Sequence, residues 1–171
     1  MLRVKQLTPL LRSLRILPPS LVIALASLDA VAQNMAIKGA TILDVTNGEM
    51  IKNHVVIVKD GRIDSVAPAR SVEIPKGIEV LDLQGHTLLP GMIDMHVHLT
   101  SGGGYHGYER LKLTDERRAI LGVVHAEQTL MAGFTTVRNV GAGSFGDVAL
   151  RDAINDGDIP GPRMLVSGPP I

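Results

Sequence analysis

From Met92 onward the chain switches repeatedly between two hydrophobic periods, and this constrains the fold more than any other feature. Residues 92–99 (MIDMHVHL) form a short strand candidate entered through Pro90-Gly91. Thr114 can cap a helix running from Asp115 to about Ala132, with Ala119, Ile120, Val123, Ala126 and Leu130 on one face and Gly133 as its stop. Residues 134–140 (FTTVRNV) are a β-branched strand, 147–155 a short helix ending at Gly157, and 163–167 (RMLVS) a third strand after Pro160-Gly161-Pro162. Strand, helix, strand, helix, strand implies a parallel α/β sheet, because parallel neighbours need long crossovers.

The segment before it reads differently. Residues 36–89 carry short β-rich runs broken by turn residues. Residues 54–59 (HVVIVK) and 62–67 (RIDSVA) flank Asp60-Gly61, a strong hairpin signal, and Asn47-Gly48 marks another turn. A small antiparallel sheet or half-sandwich is expected here.

The first 32 residues are a third kind of segment. Arg3, Lys5, Arg12 and Arg15 precede the apolar run 21–28 (LVIALASL), and Ala30-Val31-Ala32 offers a small-x-small cleavage site. That run is too short to span a bilayer, which takes about 20 residues. The expectation is a secretory signal peptide over 1–32, a mature start near Gln33 and a periplasmic or secreted protein. The expected divisions are thus 1–32, 33–89 and 90–171.

Composition excludes several chemistries. The chain lacks cysteine, so disulfides, thiolate metal sites and a cysteine nucleophile are out. Any transition metal must be held by His and carboxylates. The 17 basic and 17 acidic residues balance; with four bases and one acid in the first 32, the remainder is at net −3 and offers no basic stripe for nucleic acid. Apolar residues make up 45% and aromatics 2%, so the core must be aliphatic.

Residues two apart on a regular strand share a face. On that basis Asp94, His96 and His98 lie together, and Ile93, Met95 and Val97 lie opposite. A parallel strand is normally apolar on both faces. A carboxylate and two imidazoles buried without partners would cost several kcal/mol. A cation held by both imidazoles removes that cost, at the carboxyl end of the strand where α/β enzymes place their chemistry. A lone H-x-H also occurs as a surface pair. The Pro-Gly entry, the apolar strand and the following Gly-rich loop favour the metal reading. Gly102-Gly103-Gly104 lacks the Lys and Ser/Thr of a phosphate-binding loop and reads as a lid or connection. Tyr105 and His106 sit in that loop and are candidate substrate contacts. His54 and His86 read as surface or turn residues, and His125 as a packed or solvated helix residue.

Leu89-Pro90-Gly91-Met92-Ile93-Asp94-Met95-His96-Val97-His98 resembles the first barrel strand of the amidohydrolase superfamily. Residues 132–138 (AGFTTVR) and 159–168 (IPGPRMLVSG) resemble the second strand and the approach to the third in its imidazolonepropionase-like and secreted Xaa-Pro dipeptidase-like branch. The resemblance covers roughly residues 36–171. It implies an α/β fold: the first two to three units of a (β/α)8 barrel, preceded by a small β-sandwich segment. It implies that His96 and His98 bind a divalent metal, zinc being the expected ion, as one or two ions. Asp94 would be structural or second to the ligands. Asn139 stands where relatives often carry Asp. Such barrels need about 250 residues. The carboxylated Lys, further His and catalytic Asp of the family have no counterpart that can be assigned here.

The function implied is metal-dependent hydrolysis of an amide-like C–N bond in a small molecule, a dipeptide or a cyclic amide. The partners implied are that substrate, no nucleic acid, no membrane after signal cleavage, and an oligomeric state left open. The alternative is a non-catalytic truncated fragment that at most binds metal or a partner.

Overall fold

The protein is described by a computed structural model covering residues 34–101 and 103–170. The signal-peptide expectation over 1–32 lies outside the described residues. The contacts divide the chain into two units, residues 34–37 with Val55–Leu81, and Lys38–His54 with Asp82–Ile171.

The first unit is built on a four-stranded sheet. Its strands are β1 (Met35–Lys38), β4 (His54–Lys59), β5 (Arg62–Pro68) and β6 (Glu79–Asp82), in the order β5-β4-β1-β6. Asp60 and Gly61 both take positive φ, 49° and 71°, which suits a two-residue turn whose twist matches the flanking strands. β1 pairs antiparallel with β4, Ala36 opposite Ile57. Ala36, Val55 and Ile57 form the buried cluster, against which Val72, Ile74 and Ile78 pack.

The second unit opens with β2 (Thr41–Asp44) and β3 (Glu49–Ile51), which pair antiparallel, while β7 (Thr87–Leu88) runs parallel to β2. The run 36–45, expected as one β segment, is therefore two strands in different sheets, broken at Gly39-Ala40.

A parallel sheet follows in the same unit, with order β10-β9-β8. Its strands are β8 (Met92–Val97), β9 (Phe134–Asn139) and β10 (Arg163–Val166). Helices α1 (Asp115–Met131) and α2 (Gly146–Asn155) supply the two crossovers. The Thr114 hydroxyl accepts the Arg117 N–H at 3.2 Å, capping α1 as expected, and the helix stops at Gly133. Leu99, Ala126, Val137, Leu150 and Met164 form one buried cluster contributed by both helices and all three strand segments. Burying a Val, Leu or Met side chain contributes about 1.5–3 kcal/mol. Ile120, expected on the inner face of α1, is exposed; Gly122 takes the buried position and lets Thr100 and Leu150 approach. Gly91 is required at the entry to β8, because any Cβ there would run into the Thr135 side chain. Among the described residues, no helix is long and apolar enough to cross a membrane.

Candidate functional site

The site is set by an irregularity in β8. Asp94 pairs with Val137 and Val97 with Asn139, so three steps on β8 match two on β9. This is a β-bulge, and it breaks the alternation of faces. Partners opposite one another in a parallel pair share a side. Asp94 and Val97 therefore lie on the side of buried Val137, the side covered by α1 and α2. This corrects the expectation that Asp94 shares a face with His96 and His98. The Asp94 carboxylate instead accepts the backbone N–H of His96 at 3.0 Å, satisfying a donor that the bulge removes from the ladder.

His96 and His98 are brought together. Their ring centroids are 5.4 Å apart with planes at 71°, an edge-to-face arrangement. Both side chains are exposed, on the outer strand of the three-stranded sheet. The His98 Nδ1 faces the Gly141 carbonyl at 3.3 Å. A carbonyl is only an acceptor, so Nδ1 carries the proton and Nε2 keeps its lone pair. Two imidazoles sharing one tetrahedral ion at about 2.0–2.1 Å have centroids on the order of 5 Å apart. The pair thus fits a divalent cation in donor type and spacing. Among the described residues no group of three or more His, Asp or Glu side chains gathers around a common point, so these two imidazoles are the whole donor set there.

Three residues near the site were not singled out from the sequence as parts of it. His125, read as packed or solvated, donates from Nδ1 to the Leu99 carbonyl at 2.6 Å. Asn139 and Asp147 are fully buried and bonded to each other at 3.2 Å. Asp147 sits in the first turn of α2, where a carboxylate is favoured, but nothing in its spacing advertises a partner 8 residues away. His54 and His86 make only local bonds, to the carbonyls of Lys52 and Gln84.

A cavity of about 660 Å³ adjoins His98 and is lined by Thr100, Ser101, Arg110, Asp115 and Arg118 among others. The loop after β8 contributes Ser101 and Arg110 to it, not Tyr105 or His106. His106 instead caps the 3-10 segment Gly107–Lys112 through its carbonyl, which accepts the Glu109 N–H at 3.1 Å. Arg118 donates to the Arg110 carbonyl at 2.8 Å, which fixes its guanidinium beside the cavity.

Residues 87–171 match the amidohydrolase family, and residues 45–88 match the NagA composite domain. The chain belongs to the amidohydrolase superfamily. That superfamily is one of enzymes, and its members generally use divalent metals. A dihydroorotase of Staphylococcus aureus (strain MRSA252) is 37% identical over 92 residues, which is 53% of this chain and 18% of the relative. Among solved structures, molinate hydrolase superposes with a TM-score of 0.72 at 30% identity, over 81% of this chain and 30% of the other. A Xaa-Pro dipeptidase with methionine in its active site superposes with a TM-score of 0.71 at 31% identity, over 81% and 34%. This amidohydrolase chain thus spans about a third or less of the proteins it matches.

Proposed function

We propose that this chain is an N-terminal portion of a metal-dependent hydrolase acting on amide-like C–N bonds, with His96 and His98 as two ligands of a divalent ion. The observation that carries the reading is the placement of two neighbouring imidazoles at the carboxyl end of a parallel strand, one with its Nδ1 turned to a backbone carbonyl. On this reading β8, β9 and β10 with α1 and α2 are the first units of a (β/α)8 barrel over 90–171. The β strands of 33–89 form a small sandwich segment before it. The parallel strands and intervening helices support this.

Zinc is the favoured ion, since imidazole donors without thiolate suit it. When bound, such an ion supplies Lewis-acid chemistry, lowering the pKa of a water toward 7 and polarising a carbonyl. The chain's own residues contribute positioning. His98 presents Nε2 because Gly141 holds Nδ1. Asp94 fixes the backbone of His96. Arg110 and Arg118 bring positive charge to the adjoining cavity, which suits a substrate with a carboxylate, such as a dipeptide or an acidic cyclic amide. Export through a signal peptide over 1–32 completes the proposal and places the protein in the periplasm or outside the cell.

A second reading, a non-catalytic fragment that at most binds metal, is favoured by one observation: among the described residues only two ligands are assembled. Metal analysis and dipeptide turnover separate the two. One equivalent of metal in the purified full chain, lost in His96→Ala/His98→Ala, is expected. Turnover of a dipeptide with added zinc supports the enzyme, and metal without turnover supports the fragment. Equal metal in the double variant removes the site altogether.

A further inference from the structure

The parallel ladder between β8 and β9 ends at Val97 and Asn139, yet the chain beyond it carries His98. The backbone of the next residue, Leu99, no longer has ladder partners. Two side chains replace them. Asn139 Oδ1 accepts the Leu99 N–H at 2.8 Å, and His125 Nδ1 donates to the Leu99 carbonyl at 2.6 Å. The peptide next to His98 is therefore gripped from β9 on one side and α1 on the other.

Asn139 also reaches the imidazole by a second route. Its Nδ2 donates to the Gly141 carbonyl at 3.2 Å, the same oxygen that faces His98 Nδ1 at 3.3 Å. The other Nδ2 hydrogen goes to Asp147 Oδ2 at 3.2 Å, and that oxygen accepts the Gly168 N–H at 3.1 Å. Asp147 Oδ1 takes the Val148 N–H at 2.9 Å. The orientation of the Asn139 amide is thereby decided. An oxygen must meet the Leu99 N–H, and a nitrogen must meet the two acceptors Gly141 and Asp147. Asn139 and Asp147 are both at 0% exposure, so none of these bonds is exchanged with bulk water.

We propose that Asn139, His125 and Asp147 are positioning residues for His98: Asn139 and His125 clamp the Leu99 peptide, Asp147 locks Asn139, and Asn139 and His98 share the Gly141 carbonyl. The bracket holds His98 as the Nδ1–H tautomer, with the Nε2 lone pair facing the candidate site. An imidazole free in water prefers the opposite tautomer, so the bracket has a measurable consequence of its own. The metal role of Nε2 rests on the proposed function, but the tautomer does not.

The test is the nitrogen-15 NMR signature of the His98 ring in the full chain above pH 8, together with cobalt binding. The wild type is expected to show Nδ1–H. His125→Phe and Asn139→Ala, checked for intact folding by circular dichroism, are expected to shift His98 toward Nε2–H and to weaken cobalt affinity about tenfold or more. His125→Asn, whose carboxamide nitrogen can stand in for Nδ1, is expected to restore both. If Asn139→Ala does not fold, His125→Phe decides, because His125 is only half-buried. A wild-type ring in the Nε2–H form, or folded variants with an unchanged tautomer, would overturn the bracket. Absence of cobalt binding in the wild type, or equal binding in His96→Ala/His98→Ala, would remove the metal reading while the tautomer still judges the bracket.

Discussion

At the scale of single residues, the choice of Asn over Asp at 139 follows from the count of donors. Asn139 meets one donor, the Leu99 N–H, and two acceptors, the Gly141 carbonyl and the Asp147 carboxylate. An aspartate there would aim an oxygen at two oxygens in a place without water. Leaving such a buried group unsatisfied costs about 1–3 kcal/mol, more when charged. Asn139→Asp is therefore expected to lower stability by at least that range at neutral pH. The loss should reverse in acid, since a protonated carboxyl can donate where Nδ2 did. Facing Asp147, the introduced carboxyl has its folded pKa raised above the unfolded value of about 3.9. The variant is then most stable below that unfolded value and loses stability as pH rises through the folded one. Denaturant titrations of wild type and variant across pH 3–8 read this directly. A constant gap between the two curves would refute the donor count.

At the scale of elements, much of the βα region is legible in the sequence, because each element there has a local cause. Thr114 ahead of an amphipathic run and Gly133 behind it bound α1, and both boundaries stand in the structure. The cap is testable. Thr114→Ala removes the oxygen that accepts the Arg117 N–H and is expected to cost about 1 kcal/mol. Glu116 reports on the same turn. Its pKa is lowered first by its own backbone N–H and then by the Thr114 side chain. A lowered carboxylate pKa adds stability that is present above the ordinary glutamate value and lost as pH falls through the folded one. In Thr114→Ala the Glu116 pKa should rise toward the ordinary value, read by carbon-13 NMR titration; an unchanged value would show that the hydroxyl takes no part. What the sequence does not reveal is set by long-range pairing. The alternation Asp94, His96, His98 reads as one face only if β8 is regular, and the bulge opposite Arg138 is invisible without the partner strand. The His96–His98 pairing was legible because those two lie beyond the break. The roles of His125 and Asn139 were not, since their partner Leu99 is 26 and 40 residues away.

At the scale of the whole molecule, the parallel sheet has two open sides among the described residues. β8 and β10 are its outer strands. They present Ile93 at 62% exposure, Met95 at 49% and Leu165 at 53%. Unpaired N–H and C=O groups beside apolar side chains are a template for pairing with another strand. Natural edges are commonly blunted by lysine, proline or a short length. The β8 bulge disturbs one side of that strand, but the run MIDMHV carries no lysine. The exposure of large aliphatic groups on both outer strands outweighs a near-neutral charge balance, which offers little repulsion between copies. The full chain is therefore expected to associate as its concentration rises. Met95→Lys and Leu165→Lys together should shift that association to higher concentration, and neither position is a proposed ligand. Sedimentation velocity over a hundredfold concentration range separates the cases. A wild-type chain that sediments as a monomer throughout would mean that these edges are protected by something other than a second copy.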